Sequence, residues 1–468
     1  MNWKSNILKS LTVMFILFSY CQAYATDLHV GASQTYKTIA AAYSVASVGD
    51  TVIVHAGTYV ESVALSKANL KIINYPGARP IIQGNFILGA NDIEINGLEI
   101  VAWAAGKHGI YASNLIGIRI RNCIIHDGGG TGSGSTGGIN LIGCAQSLVE
   151  NNTIYKCETG IKIVTGYSTD NTYENGTIIR NNTVRDQYID GIIIHGEYIT
   201  INGNSILDNI TTDWQNKHPD GIQFIAASAG GYTNASKVKI YNNLIRNHTQ
   251  NIFIETKESG ESTAAGEVYI WNNVIYNASS GLIHGVDFSS LATKNIAAGG
   301  NNGLYIYNNT IGYAGNASVS FRDGKNGTYH FKNNILIQSG NRLAVKIDDL
   351  NDFSPGEMDY NLYDLDSSST AIFADNTWFK TLWHFKSSFA TQEIHGKSET
   401  AGVHAFPVPS PALPTSACVN AGVYLGTPYN TDKRGVLRPQ GPVWDIGAYQ
   451  YSEKSSLSSP SNFRKIGN

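Results

Sequence analysis

Asn181-Asn182-Thr183-Val184-Arg185-Asp186-Gln187-Tyr188-Ile189-Asp190-Gly191-Ile192-Ile193-Ile194 holds two motifs that recur through most of the chain. One is an Asn pair followed by apolar residues, found again at Asn151-Asn152, Asn242-Asn243, Asn272-Asn273, Asn308-Asn309 and Asn333-Asn334. The other is a small residue opening an alternating strand, found again at Gly160-Ile161-Lys162-Ile163, Gly221-Ile222-Gln223-Phe224 and Gly281-Leu282-Ile283. From Gly160 the offsets are 31, 30 and 60 residues, so the two columns share one period near 30. A fixed period of that size indicates a single elongated repeat domain, in which each repeat buries its apolar face against the next. The period-2 alternation within each repeat is that of strands, so the fold class is all-β.

Composition agrees. Charged residues are 15% of 468 and glycines number 48, a balance that favours strands and tight turns over helices. Lys4, Lys9, the apolar run Leu11 to Phe18 and the small-x-small triplet Ala23-Tyr24-Ala25 read as a secretory signal over residues 1–25. No other apolar run reaches the ~18 residues needed to span a bilayer, so the protein is expected to be exported, extracellular or periplasmic. Removing Lys4 and Lys9 takes the formal charge from −3 to −5, which excludes a basic nucleic-acid stripe. Cys123, Cys144, Cys157 and Cys418 show no metal-ligand spacing and read as buried thiols or one disulfide.

Ile39, Ala42, Tyr43 and Ala46 recur at helical spacing before Gly49-Asp50, which predicts a helical cap over the open end of the stack. The Asn-rich turns, the Gly-Ile strand starts and Tyr59-Val60-Glu61-Ser62-Val63 resemble the right-handed parallel β-helix proteins typified by pectate lyases. That resemblance implies a coil of three short parallel sheets with inward Ile and Val, a ladder of stacked Asn, and about ten rungs over residues 26–362. Buried stacked Asn side chains fit the same picture physically, because they satisfy backbone groups that a bend would orphan. Gly128 to Gly134 lacks the Gly-Lys-Ser/Thr ending of a phosphate loop and reads as a flexible excursion from the coil. Residues 363–452 read as a C-terminal capping region, with Trp378, Leu382 and Phe385 on one side of an amphipathic helix. Arg434 to Pro439 with Trp444 to Tyr449 resembles a C-terminal segment of secreted bacterial β-helix proteins. Residues 453–468 are Ser-rich and expected to be disordered.

Because Gly191 and Gly221 head equivalent strands, Asp190 and Asp220 are expected in one column on adjacent rungs, roughly 5 Å apart. Such a pair shares a proton, binds a cation or holds a basic partner. Hard oxygen ligands in an exported protein favour Ca²⁺, with Asp190, Asp220 and Glu255 as the expected metal set. Around the pair gather His195, Lys217, His218 and Arg246 as candidate acids and bases. Trp214, Tyr188, Gln223 and Lys257 are candidate substrate contacts, the rings offering flat faces to sugars. The expected partner is a polysaccharide met by a monomer.

The resemblance implies β-elimination or C5 epimerisation of a uronic-acid polymer, with Asp190 and Asp220 on calcium and Lys217 or Arg246 as base. Lys217 and His218, two or three residues before Asp220, are the expected bases, since a lysine or histidine near neutrality can take the acidified C5 proton. Glycoside hydrolysis by the Asp190/Asp220 pair is an alternative, since two carboxyls about 5 Å apart suit a nucleophile and an acid. His218-Pro219-Asp220-Gly221 resembles the Asn-Thr-Asp-Gly stretch of polygalacturonases, although the adjacent-Asp, Gly-His-Gly and Arg-Ile-Lys motifs are absent. A binding or adhesive rod without catalysis is the third reading.

Overall fold

The computed structural model describes residues 25–452 except 102, 105, 129–135, 166–174, 211–218, 225–235, 255–265, 277–302, 316, 322–327 and 440–442. The leader and the terminal tail thus lie almost wholly outside the described residues. So do Gly129 to Gly134 and the Gly281 strand start.

Each turn of the coil visits three sheets in order. Arg119–Arg121 lies in sheet A, Ile124–His126 in sheet B and Gly137–Cys144 in sheet C, before Leu148–Glu150 returns to sheet A one rung on. Sheets A and B hold 13 strands each, more rungs than the Asn columns alone indicate. The early rungs were illegible because their corner carries Gly97-Leu98 or Asn122-Cys123 instead of an Asn pair. Every neighbouring pair in these sheets is parallel, as in Ile161↔Ile192↔Ile222. Sheet C has eight strands, from Val63–Leu65 to Gln250–Ile254. At the same place in later coils stand Ala317–Phe321, Leu343–Ile347 and Thr370–Ala374, closed by the antiparallel Thr377–Phe379. Parallel pairing therefore runs on past residue 362. The core is a set of stacked columns such as Ile110, Ile139, Ile161, Ile192, Ile222 and Ile252, all buried. β-Branched side chains suit a pleated surface in which each rung repeats the one below.

The Asn pair divides two tasks at the corner between sheets A and B. The first Asn takes the left-handed conformation that turns the chain, φ 55° at Asn181 and 59° at Asn242. Asn pays less for φ above zero than most residues. The second Asn points inward. Asn182 Oδ1 accepts the Asn152 N–H at 3.0 Å, and Asn182 Nδ2 donates to Val149 O at 2.9 Å. The ladder runs Asn152, Asn182, Asn204, Asn243, Asn273, Asn309, Asn334, Asn361, each amide oxygen taking the previous rung's N–H. Asn204 is the member the pair motif hides, because Gly203 makes its corner at φ 67°. The 61-residue step from Asn182 to Asn243 therefore contains two rungs.

The Gly column has an equally local cause. A Cβ on Gly191 would sit 2.5 Å from Gly221 O and 2.6 Å from Ile206 Cγ2, and one on Gly221 would sit 2.5 Å from Asn251 O. Sheet C strands start where rung and rung press closest, so only glycine fits there.

The helix Ile39–Val45 closes the first end, with Thr38 as N-cap and Glu61 receiving the Ile39 and Ala40 N–H groups at 2.8 and 3.0 Å. At the other end a helix spans Leu382–Ser388 and buries Leu382 and Phe385. Trp378 does not join them. It lies on the strand Thr377–Phe379, 63% exposed, so the apolar spacing from 378 to 385 spans two elements. The four described cysteines are free and buried.

Candidate functional site

The expected acid column exists. Asp220 pairs with Gln250 and lies one rung beyond Asp190, whose Oδ1 accepts the Asp220 N–H at 2.9 Å. Reading along the rod, the column is His108, Gly137, Thr159, Asp190, Asp220, Gln250. Both carboxylates are buried, Asp190 at 4% and Asp220 at 0% exposure, so neither stands as an open groove charge. Asp190 acts at least in part on the backbone of the next rung.

His195 ends the strand Ile192–His195 opposite Val164 and is buried. Gln223 is half-buried and faces outward on the Asp220 strand, and Tyr188 is half-buried in the turn before Asp190. Lys217, His218, Trp214, Glu255 and Lys257 lie outside the described residues. Arg246 belongs to sheet B, where its guanidinium donates to Asp208 Oδ2 at 2.8 Å and approaches Tyr276 Oη at 3.4 Å. It stands on the neighbouring sheet, held by its own carboxylate. His248, a polar residue of the turn after Arg246, is fully buried beneath Gly221, and burial pushes its pKa down to about 4.

The outward column of sheet C reads Tyr111, Asn140, Lys162, Ile193, Gln223, Phe253. Lys162 is its single charge. Burial lowers the Lys162 pKa, and the Asp190 carboxylate partly opposes that. Two rungs earlier, His108 Nδ1 accepts the Gly137 N–H at 3.0 Å, which places the proton of the neutral ring on Nε2. The Asn140 amide lies 3.0 Å from Nε2, and a half-turn brings its otherwise unpartnered Oδ1 onto that proton. Tyr111 stacks on the same imidazole with centroids 5.4 Å apart. Glu158 accepts from Thr136 N and Oγ1 at 2.9 and 2.5 Å, ordering the turn beside them. Burial and Lys162 together lower the His108 pKa. A lysine of lowered basicity thus stands near a carboxylate and a histidine, the kind of group that proton transfer uses.

Sequence reasoning missed Lys162 and Asn140. The available signal was a charge at the outward position of Gly160-Ile161-Lys162-Ile163, where the next rung has Ile193.

The fold is that of a right-handed parallel β-helix. Residues 67–225 match the family described as the right handed beta helix region. Among solved structures it is similar to pectate lyase Pel9A, with 13% identity over 91% of this chain and 96% of that one, TM-score 0.49. It is also similar to PfbA, a surface adhesin of Streptococcus pneumoniae, with 13% identity over 69% and 84%, TM-score 0.44. A third is the A-module of the Azotobacter vinelandii mannuronan C-5 epimerase AlgE6, with 12% identity over 70% and 90%, TM-score 0.43. No curated protein matches the chain by sequence. Among the described residues no helix is long and apolar enough to cross a membrane.

Proposed function

We propose that this is an exported carbohydrate-active protein that acts on a uronic-acid polysaccharide by β-elimination or C5 epimerisation along the outer face of sheet C. The observation that carries the reading is Lys162, half-buried on that face with its pKa lowered and with Asp190, Asn140 and His108 around it. Its ε-amino group is suited to take the C5 proton. Lys217 and His218, just before Asp220 in sequence, are the other candidate bases. His108, with its proton on Nε2, is suited to give one back.

Asp190 and Asp220 offer hard oxygen donors on adjacent rungs, the chemistry Ca²⁺ takes, and Glu255 is the third proposed ligand. Among the described residues no group of three such side chains forms, so the fit rests on Glu255. Calcium would supply neutralisation of the sugar carboxylate. Calorimetric titration with Ca²⁺, with and without polymer, tests this, and an absence of heat in both removes the ion from the reading.

Product assays over pectate, alginate, glycosaminoglycan and neutral glycans, following unsaturated-uronate absorbance, C5 configuration and reducing ends, test the reaction. Lys162→Ala is expected to lower turnover roughly a hundredfold with little change in melting. If Lys162→Ala keeps full activity while Lys217→Ala or His218→Ala loses it, the base lies before Asp220. The full burial of Asp220 favours a second reading, a binding rod whose acids are structural. It predicts binding without product from every polymer. Reducing ends without unsaturation would instead support hydrolysis.

A further inference from the structure

In the later coils the strands that follow sheet B, as those of sheet C do in the earlier ones, carry Ser320, Lys346 and Phe373 in register with one another, and across the closing hairpin Trp378 faces Phe373. Alternate residues Val319, Phe321, Val345, Ile347 and Ile372 are buried, and the half-buried Lys346 and Phe373 between them face outward, whereas Ser320 in the same series is itself buried. Between Lys162 and Phe373 the coil crosses seven strands of sheet A, from Thr177–Arg180 to Met358–Asp359. At ~4.8 Å per rung the separation is on the order of 35 Å.

Trp378 contributes little to the cap, whose interior is made by Phe379, Leu382 and Phe385. The indole is 63% exposed and its one ring neighbour is Phe373, 4.8 Å away and tilted by 59°. That contact supports the ring from one side. Lys346, one rung before Phe373, pairs with Asp348 at 3.0 Å. An exposed indole backed by a second ring suits the C–H face of a pyranose ring. Isolated exposed aromatics are ordinary on protein surfaces. This one is distinguished by standing, with Phe373, on the strands that take the place of sheet C in the later coils.

We propose that Trp378, backed by Phe373, is a distal subsite for a sugar ring of the same glycan strand that reaches Lys162, so that the polymer runs lengthwise down one face of the rod. The proposal rests on the reading of the sheet C face as a uronan site. A long chain occupies both places, whereas a tetrasaccharide occupies only the one at Lys162.

The test uses the full chain and compares wild type, Trp378→Ala and Trp378→Phe in binding polygalacturonate, alginate, xylan and the tetrasaccharides of the first two. Trp378→Ala is expected to weaken polymer binding about tenfold, the loss of one stacked ring, with tetrasaccharide affinity unchanged and Trp378→Phe retaining most of the polymer affinity. Equal losses on polymer and tetrasaccharide would show that Trp378 acts through the fold and overturn the subsite. Unchanged binding of an acidic polymer by Trp378→Ala would overturn it while leaving the uronan reading intact. Trp378-dependent binding of xylan alone would keep the subsite and overturn the acidic substrate. Binding of no polymer by wild type would overturn both.

Discussion

The two asparagines of a pair should respond differently to substitution, because one supplies φ above zero and the other an amide. Asn243 Oδ1 takes the Asn204 N–H at 2.9 Å, and its Nδ2 donates to Ile201 O at 2.9 Å and Asn273 Oδ1 at 3.0 Å. Asn243→Ala leaves those groups buried and unmatched, for an expected loss of about 1–3 kcal/mol. Asn242 makes the corner at φ 59°, where glycine is at ease, so Asn242→Gly should cost much less. Thermal melts of the two variants decide the division of labour, and equal shifts would refute it. The ladder ends on Glu393, which takes the place of the next Asn. Its Oε1 accepts from Asn361 Nδ2 at 2.8 Å and from the Tyr363 hydroxyl at 2.7 Å, and burial raises its pKa to about 8. A carboxyl whose folded pKa lies above its unfolded value holds its proton longer in the native state. Stability therefore falls as pH rises from about 4.5 to about 8 and levels off above. Glu393→Gln should remove that decline, a gain of a few kcal/mol at pH 9, while keeping the carbonyl acceptor. Melts of wild type and variant from pH 5 to 9 check it, and parallel curves would mean that Glu393 stays ionised throughout.

At the scale of elements, the parallel coil was legible because each rung repeats the same corner and the same strand start, and both are dictated locally. What was not legible depends on neighbours. The rung of Asn204 was hidden because its corner residue is Gly203, as good a left-handed residue as Asn. His248 reads from sequence as polar and therefore outer, yet the turn folds it under Gly221, where the absent side chain leaves room for an imidazole. Arg246 reads from sequence as part of the Asp190 and Asp220 cluster, but a strand ending at Arg246 belongs to sheet B and one starting at Asp220 to sheet C. The Asp190 and Asp220 alignment was read correctly from the period. Their burial was not, because burial depends on what the intervening segments cover. Lys162 was overlooked because one charge among isoleucines resembles a solvated outer position, and only register shows it beside Asn140 and Asp190.

At the scale of the molecule, a solenoid is held chiefly by contacts between successive rungs, so distant coils are only weakly coupled. Here the chain returns on itself to supply a longer tie. Residues 422–439 and 443–451 lie along the corner between sheets A and B and meet the first Asn of several rungs. Asn333 Nδ2 donates to Val423 O at 2.8 Å, Asn272 Nδ2 donates to Thr431 O at 2.6 Å, and the Lys433 ammonium donates to Asn242 O. Arg438, fully buried, donates to Asp445 O at 2.9 Å, Gly447 O at 2.8 Å and Asn272 Oδ1 at 3.2 Å. Tyr429 sets its edge against Trp271 and Tyr307, with centroids 5.5 and 5.1 Å away, which covers an aromatic stretch of sheet A. The tie spans the rungs of Asn242 to Asn333 and leaves those from Val30 to Asn204 to their neighbours alone. Arg438→Met removes the guanidinium from three buried acceptors and from the charges of Asp432 and Asp445, at an expected cost of about 3 kcal/mol. That cost should fall on the later coils first. Calorimetry of Arg438→Met, and of a chain ending at residue 401, should show unfolding split into two steps. Hydrogen exchange should place the earlier step in the coils of Asn242 to Asn333, with protection around Ile161 and Ile192 unchanged. A single transition with loss of protection spread evenly along the rod would show instead that the coils are already fully coupled through their ladders, and that the returning segment only covers apolar surface.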